Sequence, residues 1–407
     1  MRHRHSVRSG VARRSTAMDM VTTAPRVAAA PIPVMRPWMG AAEARAVADA
    51  VASGWVAQGP RVAEFERAME AAVGATHAVA LSSCTTALHL ALLVQGIGAG
   101  DEVVLPSLTF IACANAVVQV GAVPVFADVD PHTLGVTPES LARAFTARTR
   151  AVLAVHQAGT PVDIEAIHGV CDPAGIAVIE DAACAIGSLY RGRPVGAHSD
   201  LVAFSFHPRK LVTTGEGGML TTRRAAWAER LRRLREHGTS MSAVERHSSA
   251  TPVLEHYLEP GFNYRMTDLQ AALGIVQLQR LDRMVARRRV LAALYSERLS
   301  AIGGLRWSTD PPYGRSNFQS YWVLLPEEMP STRDEVMARM QEAGISTRRG
   351  IMACHLETAH AGRPRTELPV TEVLADRALI LPLYHQMTET DVDRVVDALE
   401  AAILEPR

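Results

Sequence analysis

Seven short β-rich runs alternate with alanine- and leucine-rich helical patterns through the first part of this chain. No other feature restricts its fold as much. The runs are His77–Leu81, Glu102–Leu105, Val123–Phe126, Ala151–Val155, Ile176–Glu180, Leu201–Phe206 and Met219–Thr222, with helical patterns such as Thr85–Val94 and Pro138–Ala147 between them. Strands alternating with helices predict an α/β fold with a mostly parallel sheet covered on both faces. Ligands of such sheets bind outside the carboxyl ends of the strands. Ahead of the alternation, Ala41–Ala52 reads as a helix stopping at Ser53-Gly54, and Gln58-Gly-Pro60 as a turn into a second helix near Val62–Val73. After Gly261 the pattern turns helical from Thr267 to Leu299, then gives a strand at Ser320–Leu325 and helices at Thr332–Ala343 and Thr388–Leu404.

A chain of 407 residues exceeds the size at which a single core stops growing. The pattern predicts a large domain over residues 31–265, then a long connecting helix and a smaller C-terminal α+β domain over 266–407. Residues 1–30 differ: five arginines precede the first acid, Asp19, and no apolar stretch of a secretory signal is present. They read as a disordered basic extension, with Met18 and Met20 as rival starts. Lys plus Arg equals Asp plus Glu at 42 each, which argues against a nucleic-acid or anionic-membrane partner. No apolar run approaches the roughly 20 residues of a membrane span. The five cysteines are an odd number without a Cys-x-x-Cys pair, so reduced thiols in a cytoplasmic protein are expected.

The chemistry centres on Lys210, in Phe204-Ser-Phe-His-Pro-Arg-Lys210, followed by Thr213-Thr-Gly-Glu-Gly-Gly218. Twenty-nine residues upstream, an apolar run ends in Glu180-Asp181. A lysine after one strand and a carboxylate at the end of another suit a pyridoxal phosphate (PLP) enzyme. The lysine carries the cofactor as a Schiff base and the aspartate keeps the ring nitrogen protonated. Leu81-Ser-Ser-Cys-Thr-Thr-Ala87 is a strand end, a hydroxyl cluster and a helix start, which serves an anion as readily as a plain helix cap. Ser205 adds a hydroxyl nearby, and Phe110, just past a strand end, suits either the face of a planar ring or the core. The glycines of 215–218 read as room for the backbone to pass close to the cofactor lysine. No metal-ligand spacing is visible; His355 and His360 are isolated.

These segments together resemble the DegT/DnrJ/StrS family of PLP-dependent sugar aminotransferases, fold-type I enzymes, from about Pro33 onward. The matching pieces are Ser53-Gly-Trp55, Gln58-Gly-Pro60, Gly100-Asp-Glu-Val103, Pro106-Ser-Leu-Thr-Phe110, Val178-Ile-Glu-Asp-Ala-Ala183, the 204–218 stretch, Gly261-Phe-Asn-Tyr-Arg-Met266 and Leu381-Pro-Leu-Tyr384. The resemblance implies Lys210 as the Schiff-base lysine, Asp181 on the ring nitrogen, and Phe110 stacked on the ring. It places Cys84, Thr85 and Ser205 at the phosphate. Asn263 and Arg265 would reach the phosphate of a neighbouring subunit, so a homodimer with a shared active site is expected. Two departures stand out: Cys184 replaces the family's usual Gln or His near the cofactor's 3-oxygen, and Cys84 replaces a glycine.

The expected reaction is a ping-pong transfer of an amino group from L-glutamate or L-glutamine to a nucleotide-activated keto-deoxysugar, with Lys210 as general base. A cyclitol- or aminobenzoate-forming relative is the alternative. A PLP-dependent sugar dehydratase would carry histidine at position 210, and a non-catalytic regulator would have no use for the Asp181–Lys210 pair. Trp55, His156, Gln157 and Thr347–Met352 are substrate-side candidates with equally plain core or surface readings.

Overall fold

The computed structural model describes residues 30–241, 251 and 254–404, so the expected extension lies outside the described residues apart from Ala30. All seven expected runs form one sheet: β1 His77–Leu81, β2 Glu102–Pro106, β3 Val123–Ala127, β4 Thr149–Val155, β5 Ala177–Asp181, β6 Leu201–Ser205 and β7 Gly218–Thr222. Their spatial order is β1-β7-β6-β5-β4-β2-β3. Contacts from β6 through β5, β4 and β2 to β3 are parallel, and β7 runs antiparallel to both β1 and β6. Strands β1, β2, β4, β5 and β6 therefore end at the same edge.

Both faces of the sheet are covered, which is why its strands read as near-continuous apolar runs. Alternate residues enter opposite cores. Val104, Val152, Val178, Val202 and Phe204 join Phe65 and Met69 on one face, while Val103, Leu105, Leu153, Ile179 and Leu220 join Leu88 and Leu92 on the other. Of the helices, α1 (Ala41–Ala52) and α2 (Pro60–Val73) come first. Helix α2 begins with Pro60 in its first turn and stops at Gly74 in the left-handed region, as the start and stop preferences of these residues require. Helix α3 (Cys84–Val94) follows β1, and Ser83 caps it by accepting the Thr86 amide at 3.2 Å. Helix α4 (Ala112–Gln119) follows β2.

The expected helix from Thr267 to Leu299 is instead two, α5 (Asp268–Leu278) and α6 (Leu281–Leu299). Tertiary contacts break it at Gln279–Arg280, with neither glycine nor proline involved. Gln277 donates to the carbonyl of Trp38 and the carboxylate of Glu43, and Arg280 pairs with Glu43 and lies over Trp38. Holding both side chains on one acid turns the chain between the helices.

A second, four-stranded antiparallel sheet comprises β8 Arg306–Trp307, β9 Tyr321–Leu324, β10 Arg348–Arg349 and β11 Ala378–Leu381, in the order β8-β9-β11-β10. Its core gathers Tyr295, Tyr321, Val323, Leu381 and Val395, the last from the terminal helix Glu389–Leu404. A loop of this region returns to the large sheet. The Cys354 amide donates to Ser107 O at 2.7 Å, Ser107 Oγ lies 2.7 Å from His355 Nδ1, and Leu108 bridges to Ala353. Among the described residues, no helix is long and apolar enough to cross a membrane.

Candidate active site

The carboxyl ends of β1, β2, β4, β5 and β6 converge on a cleft of about 330 Å³, roofed by residues of the second sheet. Of the expected site residues, Cys84, Thr85, Phe110, Asp181, Cys184, Ser205 and Lys210 all line it. Asn263 and Arg265 do not; Asn263 is exposed and bridges to Glu236. Of the substrate-side candidates, His156, Gln157 and the 348–352 stretch line the cleft, whereas Trp55 packs at Gly59 beside Asp268.

Asp181 closes β5 with only 5% of its surface exposed. One carboxylate oxygen accepts the Ala183 amide at 2.9 Å, and the other accepts the thiol of Cys113 at 3.0 Å. The Cys84 thiol stands at 4.0 Å. No lysine or arginine among the described residues forms an ion pair with it, and a buried carboxylate without a cation is costly. A protonated ring nitrogen is the partner such a carboxylate lacks.

At the other end, Lys210 Nζ lies 3.1 Å from Cys184 Sγ. Burial works to lower the lysine's pKa, but the neighbouring Cys184, Asp181 and Cys84 outweigh it and hold the group above its ordinary value. Burial pushes the Cys84 thiol well up, and the Asp181 charge adds to this. Cys84 and Thr85 form the first turn of α3, where backbone N–H groups have no partner within the helix and the dipole favours an anion. Ser205 ends β6 beside them. Phe110 is 58% exposed, so the core reading of this residue is overturned.

Of the glycines past Lys210, Gly217 lines the cleft together with the lysine, whereas Gly218 serves a different neighbour. Gly218 pairs with Leu81 on one side and Ser205 on the other, and a Cβ there would overlap the Ser83 carbonyl and the Cys84 nitrogen. Its bareness brings the start of α3 against β7, not the backbone against the lysine.

Three elements escaped the sequence reading. Cys113, on α4, bonds Asp181. Asn317 donates from Nδ2 to the carbonyls of Cys184 and Ile186, both at 2.8 Å, and so holds the turn that carries Cys184; Gly159, at φ +93°, leaves room for its side-chain oxygen. Behind Asp181, Glu180 forms a fully buried pair with His156 Nε2 at 2.8 Å. Because the Val162 amide donates to His156 Nδ1, the ring proton sits on Nε2 and points at the carboxylate. Burial alone would raise the pKa of Glu180, but His156 and Ser199 hold it below its ordinary value. None of the three has a local sequence signal, since each acts on a partner far along the chain.

At the mouth, Arg209, Arg348 and Arg349 face the cleft. Arg349 pairs with Glu357 at 3.2 Å, while the guanidinium groups of Arg209 and Arg348 have no hydrogen-bond or ion partner among the described residues. Partial desolvation and the charges of Arg209 and Arg349 push the pKa of Arg348 down.

Comparison with known proteins agrees with this geometry. Residues 37–400 match the model of the DegT/DnrJ/EryC1/StrS aminotransferase family. The aminotransferase TlmJ from Streptoalloteichus hindustanus is 36% identical, with a TM-score of 0.84 over 91% of this chain and 98% of that one. DesV from S. venezuelae, solved with a ketimine intermediate, is 32% identical, with a TM-score of 0.83 over 93% of this chain and 100% of its own. Spr1654 from Streptococcus pneumoniae, a candidate sugar aminotransferase in its PMP form, is 27% identical, with a TM-score of 0.86 over 91% and 98%. A carboxylate awaiting a cation, an amine across the cleft from it and a helix start suited to phosphate are what PLP requires of a protein. The chain is a PLP-dependent aminotransferase and belongs to the DegT/DnrJ/EryC1/StrS family.

Proposed function

We propose that the protein moves an amino group from L-glutamate or L-glutamine to the keto carbon of a nucleotide-activated deoxysugar, in amino sugar biosynthesis. The observation that carries this is one cleft holding a buried carboxylate without a cation, a primary amine and two free guanidinium groups at its mouth. When bound, PLP supplies the electron sink that makes the α-hydrogen of an amino acid acidic. The chain supplies the rest. Lys210 tethers the cofactor and, once displaced, carries the proton as general base. Asp181 would face the ring nitrogen, Phe110 would lie over the ring, and Cys184 borders the amine. The Cys84 and Thr85 amides and the Ser205 hydroxyl take the phosphate.

In this reading the active unit is a homodimer, with Asn263 and Arg265 of each copy reaching the neighbouring cofactor's phosphate. Residues 31–265 hold the cofactor, and 266–407 close over the substrate. All five cysteines are free, which suits the cytoplasm. Lysine rather than histidine at position 210 favours amino transfer over dehydration. The free cations at the mouth suit a diphosphate, and the likeness to Spr1654 supports a sugar acceptor. The test is a panel of keto sugar nucleotides incubated with enzyme and glutamate, scored by mass spectrometry for amino sugar and by 2-oxoglutarate formed. One aminated member is the expected result. If glutamate converts the cofactor's absorbance band but no panel member is aminated, the sugar reading falls and amino transfer stands.

A further inference from the structure

We infer that Cys113 is a positioning residue for Asp181, and that its thiol sets how firmly this carboxylate holds a proton on the ring nitrogen it faces. The inference rests on the cofactor role proposed for Asp181. Cys113 lies near the start of α4, 1% exposed, with its sulfur 3.0 Å from Asp181 Oδ2. The other oxygen is taken by the Ala183 amide, so the thiol is the side-chain donor in closest contact with the carboxylate. Thr109 Oγ1 lies 3.2 Å from the same sulfur. With the S–H committed to Asp181, the sulfur is left to accept, and the order of donation runs from the Thr109 hydroxyl to the Cys113 thiol to the Asp181 carboxylate. Burial and the Asp181 charge both push the Cys113 pKa well up, which keeps the thiol protonated as this order requires.

A donor on a carboxylate stabilises its charged form and lowers its basicity. A thiol is a weak donor, so Cys113 fixes the carboxylate in place while leaving most of its pull on a proton. A hydroxyl at the same site withdraws more of that pull, and a methyl withdraws none. The two replacements must therefore act in opposite directions, which a packing role does not produce. A carboxylate with a firmer hold keeps the ring nitrogen charged. That charge draws electrons from the nitrogen linked to Lys210 and lowers its proton affinity.

The experiment follows the pH titration of the visible absorbance of the lysine-linked cofactor in the holoenzyme. Against the parent, Cys113→Ser should raise the midpoint and Cys113→Ala should lower it, each by about half a pH unit. Thr109→Val, which removes the hydroxyl behind the thiol, should lower it by a smaller amount. Midpoints that stay put, or that move the same way for Ser and Ala, overturn the inference. Should Cys113→Ser fail to fold, Cys113→Ala and Thr109→Val still decide it, since both must lower the midpoint. A parent protein that shows no such band overturns the cofactor reading itself, and the role of Cys113 with it.

Discussion

On the floor of the cleft the carboxylates are held by backbone or by a buried neighbour, whereas at the mouth the guanidinium groups of Arg209 and Arg348 have no hydrogen-bond or ion partner among the described residues. Asp181 is fixed through both of its oxygens, and Glu180 behind it through a histidine and an amide. The mouth sits on a two-residue edge strand, β10, whose arginines are exposed. A floor whose dipoles are set before the substrate arrives has no reorganisation left to do during the reaction. Unpaired cations at the rim suit capture and release of anions of more than one shape.

Four changes test this contrast. The largest effect belongs to the floor: Lys210→Ala should lower amino transfer by at least about a thousandfold and abolish the lysine-linked absorbance, while thermal stability stays near that of the parent. Full turnover in this variant would remove Lys210 from the chemistry. Next is the support behind Asp181. His156→Ala takes one hydrogen-bond donor from the buried Glu180 carboxylate, and should cost about 1–3 kcal/mol in a denaturant titration.

The same pair has a pH signature. The folded pKa of Glu180 lies below its ordinary value, so its contribution is complete above about pH 4.3 and is lost as pH falls through the folded value. Glu180→Gln should flatten that acid limb; an unchanged limb would show that the pair does not stabilise the fold. The smallest effect belongs to the mouth. Arg348→Gln should raise KM for an anionic substrate about tenfold, with kcat near the parent value. A fall in kcat at constant KM would place Arg348 in the chemistry and erase the contrast.

The same division separates what the sequence reveals from what it hides. The strands of the large sheet are plain because both faces are buried, and each matches its apolar run within about two residues at either end. Floor residues at strand ends, such as Asp181 and Ser205, inherit that clarity. Cys113 was invisible because its partner lies 68 residues away, and one thiol in a helix carries no pattern. Strands β8 and β10 have two residues each, too few to display a period. The break between α5 and α6 was hidden for a related reason: its cause is Glu43, more than two hundred residues earlier.

The bond between Ser107 and His355 spans 248 residues, and it ties the end of β2, next to the cleft, to the roof. On the ribosome, at about 5–20 residues per second, roughly 12–50 s pass between synthesis of its two ends. For the part of that interval after Thr222, the last residue of β7, the carboxyl edge of the sheet can exist while the roof does not. A nascent chain can thus offer a carboxylate, an amine and a helix start to solvent well before it has a cleft able to exclude water. Completion of the enzyme waits for the last quarter of the chain.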